Sequence, residues 1–222
     1  MTKIKLCGLS RPCDIGAANG LRPDYIGFVF APKSKRYVSM EQAAALREQL
    51  NPAIKAVGVF VNENPETVAA YLEAGIIDIA QLHGGESESY IRQLRNLTGK
   101  PLIQAFRIDT ERDIETANES GADHILLDSG EGGTGTAFDW RLLKKIGRPY
   151  FLAGGLSAHN VENVVRTLVP YAVDASSGIE TDGRKDRNKM AAFAAAVRAA
   201  DKAQQAENMK KRKTIKINKE KP

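Results

Sequence analysis

A single (β/α)8 barrel, the TIM-barrel architecture, is the fold class this chain predicts. Short apolar runs alternate with amphipathic stretches, roughly every 25 residues, as strand–helix units do. Eight such units follow one another in 222 residues. One barrel core typically takes roughly 200–250 residues. The apolar runs are apolar on both faces, as strands of a parallel sheet covered by helices must be. No G-x-G-x-x-G follows the first of them, which counts against an open dinucleotide-binding sheet.

The elements follow in order. Ile4–Cys7 is the first strand, and Pro12–Asn19 the first helix, with Ser10 as its expected cap and Gly20 as its stop. Tyr25–Phe30 is the second strand. Ser39, three residues before Gln42, makes a capping box for a helix over Ser39–Leu50. Ile54–Val61 is the third strand, and Asn64–Glu73 its helix, with Pro65 at the first position. Ile76–Leu82 pairs with the helix Ser87–Leu97, Leu102–Phe106 with Thr110–Ser120, and His124–Leu127 with Asp139–Ile146. Tyr150–Ala153 and Asn160–Leu168 form the seventh unit. Ala172–Asp174 and Arg187–Lys202 form the eighth.

Composition changes near the end. Residues 202–222 hold eight basic and two acidic residues, a charge of +6, which leaves −1 for the rest of a chain whose total is +5. Basicity therefore gives no argument for a nucleic-acid-binding domain. The reading is a catalytic barrel over 1–203 and a short, disordered, basic tail over 204–222. Such a tail touches RNA weakly at most. Cys7 and Cys13 are too few for a disulfide scaffold and read as reduced thiols of a cytoplasmic protein. No apolar run nears the roughly 20 residues a membrane span needs, and no signal-peptide pattern opens the chain.

Barrel chemistry gathers where strands end at their C-terminal side. There the sequence puts Cys7-Gly8, the loop Ala31–Tyr37 with Arg36, then Asn62, Gln81, His83-Gly84 and Arg107. Asp128 with a glycine-rich loop, Gly154-Gly155 and Ser176-Ser177-Gly178 complete the rim. Gly154 and Gly155 let backbone amides approach an anion, and Ser177 and Gly178 add donors. These are the loops in which barrels commonly hold phosphate, so a phosphorylated small molecule is the expected partner. A thiol, Cys7, and a carboxyl, Asp128, could act as base and acid in a proton-shifting isomerisation. Taken alone, Cys7 equally suits a buried core position, and Asp128 a loop cap. Arg36 either grips a carboxylate with its two-pronged guanidinium or lies on the surface; the residues alone do not separate these, nor for Arg107. Cys13 is expected to be structural. His83, His124 and His159 have no partners at metal-ligand spacing, so no metal site is expected.

The motifs together resemble the phosphoribosylanthranilate isomerase family of tryptophan biosynthesis, from about Lys3 to about Arg198. They are Lys5-Leu6-Cys7-Gly8-Leu9-Ser10, Gly27-Phe28-Val29-Phe30 with Ser34-Lys35-Arg36, Gly58-Val59-Phe60-Val61-Asn62, and Gln81-Leu82-His83-Gly84. Leu127-Asp128, Gly132-Gly133-Thr134-Gly135, Phe138-Asp139-Trp140 and Leu152-Ala153-Gly154-Gly155-Leu156 follow. Val173-Asp174-Ala175-Ser176-Ser177-Gly178-Ile179-Glu180, Gly183 and Lys185-Asp186 end the set. The resemblance implies an Amadori rearrangement of N-(5′-phosphoribosyl)anthranilate without a cofactor. It implies Asp128 as acid, Cys7 as base and Arg36 on the anthranilate carboxylate. His83 joins the substrate-binding set, and Gly154, Gly155, Ser177 and Gly178 hold the phosphate. The glycine-rich loop after Asp128 would serve as a lid. Ser10, Cys13-Asp14 and Lys35 depart from the family pattern without removing a chemical group.

Two rivals stand beside this reading. The sister isomerase of histidine biosynthesis places an aspartate where this chain has Cys7, and His83-Gly84-Gly85-Glu86 is a poor twin of the Gly154-Gly155 turn. A non-catalytic phosphosugar-binding barrel, or an RNA-associated protein working through its tail, would have no need of Cys7, Asp128 and Arg36 together.

Overall fold

The computed structural model describes residues 1–128 and 142–219, with side chains through 207 and at 209. Eight parallel strands close into a barrel in chain order: β1 (Lys3–Cys7), β2 (Tyr25–Val29), β3 (Lys55–Phe60), β4 (Ile79–Leu82), β5 (Leu102–Arg107), β6 (His124–Asp128), β7 (Tyr150–Ala153) and β8 (Ala172–Ala175). Closure comes from β1 beside β8, in the register Lys3 to Ala172 and Lys5 to Asp174. Helices α1 (Pro12–Leu21), α2 (Met40–Glu48), α3 (Pro65–Glu73), α4 (Glu88–Leu97), α5 (Glu111–Glu119), α6 (Val161–Leu168) and α7 (Arg187–Lys219) complete the βα units, with a 3-10 turn at Leu142–Lys145 between β6 and β7.

Strand side chains alternate, so each strand has one row facing the helices and one facing the barrel axis. The outward row (Ile4, Leu6, Ile26, Phe28, Phe60, Leu127, Leu152) joins the helix faces in one large core. Burying each such side chain stabilises the fold by about 1.5–3 kcal/mol. The axis holds separate layers. At the N-terminal end Tyr25, Val57, Ile79, Ile103, Leu126 and Phe151 pack together. At the C-terminal end Cys7 packs with Val29 and Val59. The axial row of β1 therefore includes Lys5 and Cys7, that of β6 Leu126 and Asp128, and that of β8 Ala172 and Asp174.

One device recurs on the N-terminal side. Asp24, Asp78 and Asp123 stand just before β2, β4 and β6, and each accepts an amide from the preceding strand: Ile4 at 2.9 Å, Ala56 at 2.8 Å and Leu102 at 2.7 Å. Lys3, Arg47 and Arg95 pair with the same three carboxylates. Each aspartate thus fixes the register of two neighbouring strands and keeps a cation at the strand start. The chain start is tied down as well. The Thr2 amide donates to both oxygens of Asp201 on α7, at 3.1 and 2.9 Å.

Several helix ends follow local chemistry. The Ser39 hydroxyl accepts the Gln42 amide while Gln42 accepts the Ser39 amide, the expected capping box. Asn64 caps α3 ahead of Pro65. Ser10 does not cap α1. Arg11 is the cap residue there, and the Asp14 carboxylate accepts the amides of Ser10 and Arg11. The helix also runs through Gly20 to Leu21, because Arg22 takes the left-handed position (φ 51°) that ends it. Helix α7 runs on to Lys219. Gln204 donates to the carbonyls of Val165 and Arg166 at the end of α6, and Glu207 pairs with Arg166 at 3.0 Å, so the helix stays docked there.

Residues 129–141 lie outside the described residues. They include the expected lid, the Phe138-Asp139-Trp140 motif and the start of the helix expected over Asp139–Ile146.

Candidate active site

Cys7 ends β1 on the axial row and is 8% exposed. A neighbouring glycine makes room for it. A Cβ on Gly27, the matched residue of β2, would lie 2.6 Å from the Cys7 sulfur. One layer below, Lys5 is fully buried, and its ammonium contacts Asp174 Oδ2 at 2.6 Å. Above lies a short hairpin, β9 (Glu180–Thr181) and β10 (Arg184–Lys185), reached through a 3-10 turn at Ser177–Ile179. Lys185 donates to the carbonyl of Ser176 at 3.0 Å and pairs with Glu180. Glu180 also takes both prongs of Arg36, Nε at 2.6 Å and Nη2 at 2.8 Å. The Gly8 turn (φ 78°) fits under this arm, since a Cβ there would lie 2.5 Å from Arg36 Cδ.

Three cations and two carboxylates therefore surround one thiol. Burial pushes the Cys7 thiol up from its ordinary range and Asp174 adds to that, while Lys5 and Lys185 pull it down without fully offsetting the burial. Burial works to neutralise Lys5, yet Asp174 and then Cys7 outweigh it and hold the ammonium charged. Burial also pushes Glu180 up, but hydrogen bonds from Arg36 and Lys185 reverse this and bring it down to about 2.

Asp128 ends β6 on the same axial row, across the barrel from Cys7, with its side chain 31% exposed. His83, just past β4, brings Nε2 to 3.6 Å from Asp128 Oδ2, and its Nδ1 lies 2.8 Å from the Gln81 amide nitrogen. With that amide as donor, Nδ1 accepts and the neutral ring carries its proton on Nε2, facing Asp128.

The loops after β7 and β8 touch. Gly154 and Gly155 both take positive φ (94° and 58°). A Cβ on Gly178 would lie 2.0 Å from the Leu156 carbonyl oxygen, so no other residue fits there. Among the described residues, no acceptor meets the amides of Gly155, Ser177 or Gly178.

The structure thus gathers Cys7, Asp128, Arg36, His83, Gly154, Gly155, Ser177 and Gly178 on one rim. His83 stands beside Asp128. Arg36 is engaged by Glu180 instead of open on a surface loop. Arg107 lies at the exposed edge and pairs with Asp109 at 2.9 Å. Cys13 is exposed rather than packed, because α1 turns it outward. The sequence reading assigned no part to Lys5, Asp174, Glu180 or Lys185. The available signal was parity: Lys5 lies two residues before Cys7 on the same strand and must share its face.

Comparisons with known proteins bear on the family and the fold. The family model for N-(5′-phosphoribosyl)anthranilate (PRA) isomerase matches residues 4–196. An N-(5′-phosphoribosyl)anthranilate isomerase from a Thermoanaerobacter species is 45% identical over 204 residues, covering 89% of this chain and 98% of its own length. The crystal structure of phosphoribosyl anthranilate isomerase from Thermotoga maritima is 35% identical, with a TM-score of 0.81, and covers 90% of this chain and 100% of its own. A phosphoribosyl anthranilate isomerase solved in complex with reduced 1-(o-carboxyphenylamino)-1-deoxyribulose 5-phosphate is 34% identical, with a TM-score of 0.79 over the same shares. On the strength of a match that spans the whole barrel, the chain belongs to the N-(5′-phosphoribosyl)anthranilate isomerase family.

Proposed function

We infer that this chain is an isomerase of tryptophan biosynthesis. It converts N-(5′-phosphoribosyl)anthranilate to 1-(2-carboxyphenylamino)-1-deoxyribulose 5-phosphate by an Amadori rearrangement. The observation that carries the mechanism is the pairing of one carboxyl and one thiol, Asp128 and Cys7, on opposite sides of the same axial rim.

Substrate enters with its phosphate on the loops after β7 and β8. The amides of Gly155, Ser177 and Gly178 and the positive φ of Gly154 and Gly155 support that placement. Arg36 meets the anthranilate carboxylate. Glu180 takes two of its five N–H groups and fixes the plane of the fork, leaving the Nη1 edge for substrate. Asp128 gives a proton to the ribose ring oxygen, the C1′–O bond breaks, and a protonated imine forms. The Cys7 thiolate removes the C2′ proton, and the electron pair moves to the imine to give an enolamine. The enolamine gains a proton at C1′ and loses its hydroxyl proton to become the ketone. A proton passing from the thiol back to the Asp128 carboxylate resets the pair, so the sum is an isomerisation. Each positioned group typically contributes roughly 10²–10⁴ in rate.

The unlike surroundings of the two groups support these roles. Cys7 is flanked by cations that favour its anion. Asp128 is half-open beside a histidine. No described helix is long and apolar enough to cross a membrane, in keeping with a cytoplasmic enzyme.

The test is turnover of freshly generated phosphoribosylanthranilate, followed by loss of its anthranilate fluorescence. Decay well above the uncatalysed rate is the expected result. Decay at the uncatalysed rate would overturn the reading.

A further inference from the structure

Lys5 is among the largest fully buried side chains in the described residues, and it is a charged one. A buried ammonium is retained only where charge and hydrogen bonds compensate its lost hydration. Asp174 supplies one bond, at 2.6 Å, from the register-matched position on β8. Compensation at Asp174 is incomplete: its other oxygen, Oδ1, is buried and meets no donor among the described residues. A buried ion pair of this kind is a poor device for stability, since apolar side chains of similar volume often serve as well or better. Its position suggests another use. Lys5 lies directly below Cys7 on the axial row of β1, and the layer around the thiol is otherwise apolar, from Val29 and Val59.

We propose that Lys5 is a positioning residue for the isomerisation: its ammonium is shared between the Asp174 carboxylate and the Cys7 thiolate, and supplies the counter-charge that lets Cys7 act as a base in a dry site. This rests on the reading of Cys7 as the base. Substrate lying over the rim shuts out water, so the thiolate must find its compensation inside the protein. The charged groups around Cys7 are Lys5 from β1, Asp174 from β8, Lys185 from β10 and Arg36 from the loop after β2, with Glu180 from β9 bridging the last two. Lys185 and Arg36 are both already held by Glu180 and sit on the substrate side. Lys5 approaches from below, away from substrate. It holds its proton against burial because two acidic groups share it. Asp174 sets the balance from the other side, since it competes with the thiolate for the same ammonium.

The test titrates the thiol directly. In a Cys13→Ala background, the thiolate ultraviolet absorbance of Cys7 is followed against pH, with Cys7→Ala as the blank. Lys5→Met and Asp174→Asn are compared with the parent, and kcat/KM is measured over the same pH range. Lys5→Met is expected to raise the Cys7 midpoint by about one unit or more, a tenfold loss of thiolate near neutral pH. The acid limb of kcat/KM should move with it, while KM changes less than about threefold and kcat falls at least about thirtyfold. Asp174→Asn is expected to lower the midpoint, the opposite sign. Midpoints unmoved in Lys5→Met, with turnover intact in the parent, would overturn the inference alone. If Lys5→Met does not fold, Asp174→Asn decides, and a midpoint that fails to drop overturns it. Shifted midpoints with no turnover in any protein, parent included, would overturn the isomerase reading and leave the coupling of Lys5 to Cys7 standing.

Discussion

The two ends of the barrel axis are built from the same strands and could hardly differ more. At the N-terminal end, Tyr25, Phe151 and Tyr171 pack with tilted rings, centroids 5.4–5.5 Å apart. His124 stacks flat on Tyr171, and the Tyr25 and Tyr171 hydroxyls share a hydrogen bond of 3.0 Å. At the C-terminal end, three to four residues along, β6, β8 and the turn after β7 present Asp128, Asp174 and Gly155, and β1 adds Cys7. One end is closed by rings that satisfy each other. The other gathers charged side chains that pair with one another, beside glycine turns with positive φ. The lesson is a division of labour along a strand: its first residues hold the barrel together, and its last residues can be spent on chemistry without unravelling it.

The largest effect that would break this division is at the rim. Cys7→Ala and Asp128→Asn are each expected to lower kcat by roughly 10²–10⁴, with melting temperatures within a few degrees of the parent. A thermal scan beside the fluorescence assay checks both. If either variant also unfolded, the separation would be wrong. The matching change at the floor is Phe151→Ala. It should cost about 3–5 kcal/mol in urea unfolding, yet leave kcat of the folded fraction within tenfold. Arg36→Met comes next, sharpening the account of the rim. Losing a charged hydrogen-bonding fork of about 1.5–3 kcal/mol should raise KM by roughly ten- to a hundredfold and spare kcat.

The smallest effect concerns Glu180. Its folded-state pKa of about 2 lies below the ordinary carboxylate value. Its contribution to stability is therefore present at neutral pH and is lost as pH falls from about 4 to about 2. Discounted for the half-open rim, that amounts to about 1–2 kcal/mol. Acid unfolding of Glu180→Gln should be correspondingly flatter over that range.

Much of the scaffold was legible in local chemistry. Strand β7 ends where the sequence puts it, and Ser39, Asn64, Ser87 and Thr110 cap the helices they precede. These signals lie within a few residues of what they control. The end of α7 is tied from further off: Gln204 donates to the carbonyls of Val165 and Arg166 at the end of α6, some 40 residues earlier. In the candidate site, the placement of Cys7, Asp128 and the glycine turns on one rim was legible because each follows or ends a strand. Lys5, Asp174 and Glu180 were not, because a charge on a strand means little until its partner is known. The partners of Lys5 and Arg36 lie 169 and 144 residues away. Local pattern cannot see that far; only closure of the barrel brings them together.

That span has a consequence for how the enzyme comes to life on the ribosome. The strand carrying Cys7 is made first and the strand carrying Asp174 nearly last. At about 5–20 residues per second, roughly 10–30 seconds separate them. Through that interval the thiol is an ordinary cysteine on an unclosed sheet, with no carboxylate across from Lys5 and no hairpin above it. The thiol meets Asp174, Lys185 and Arg36 only with the last turn of the barrel.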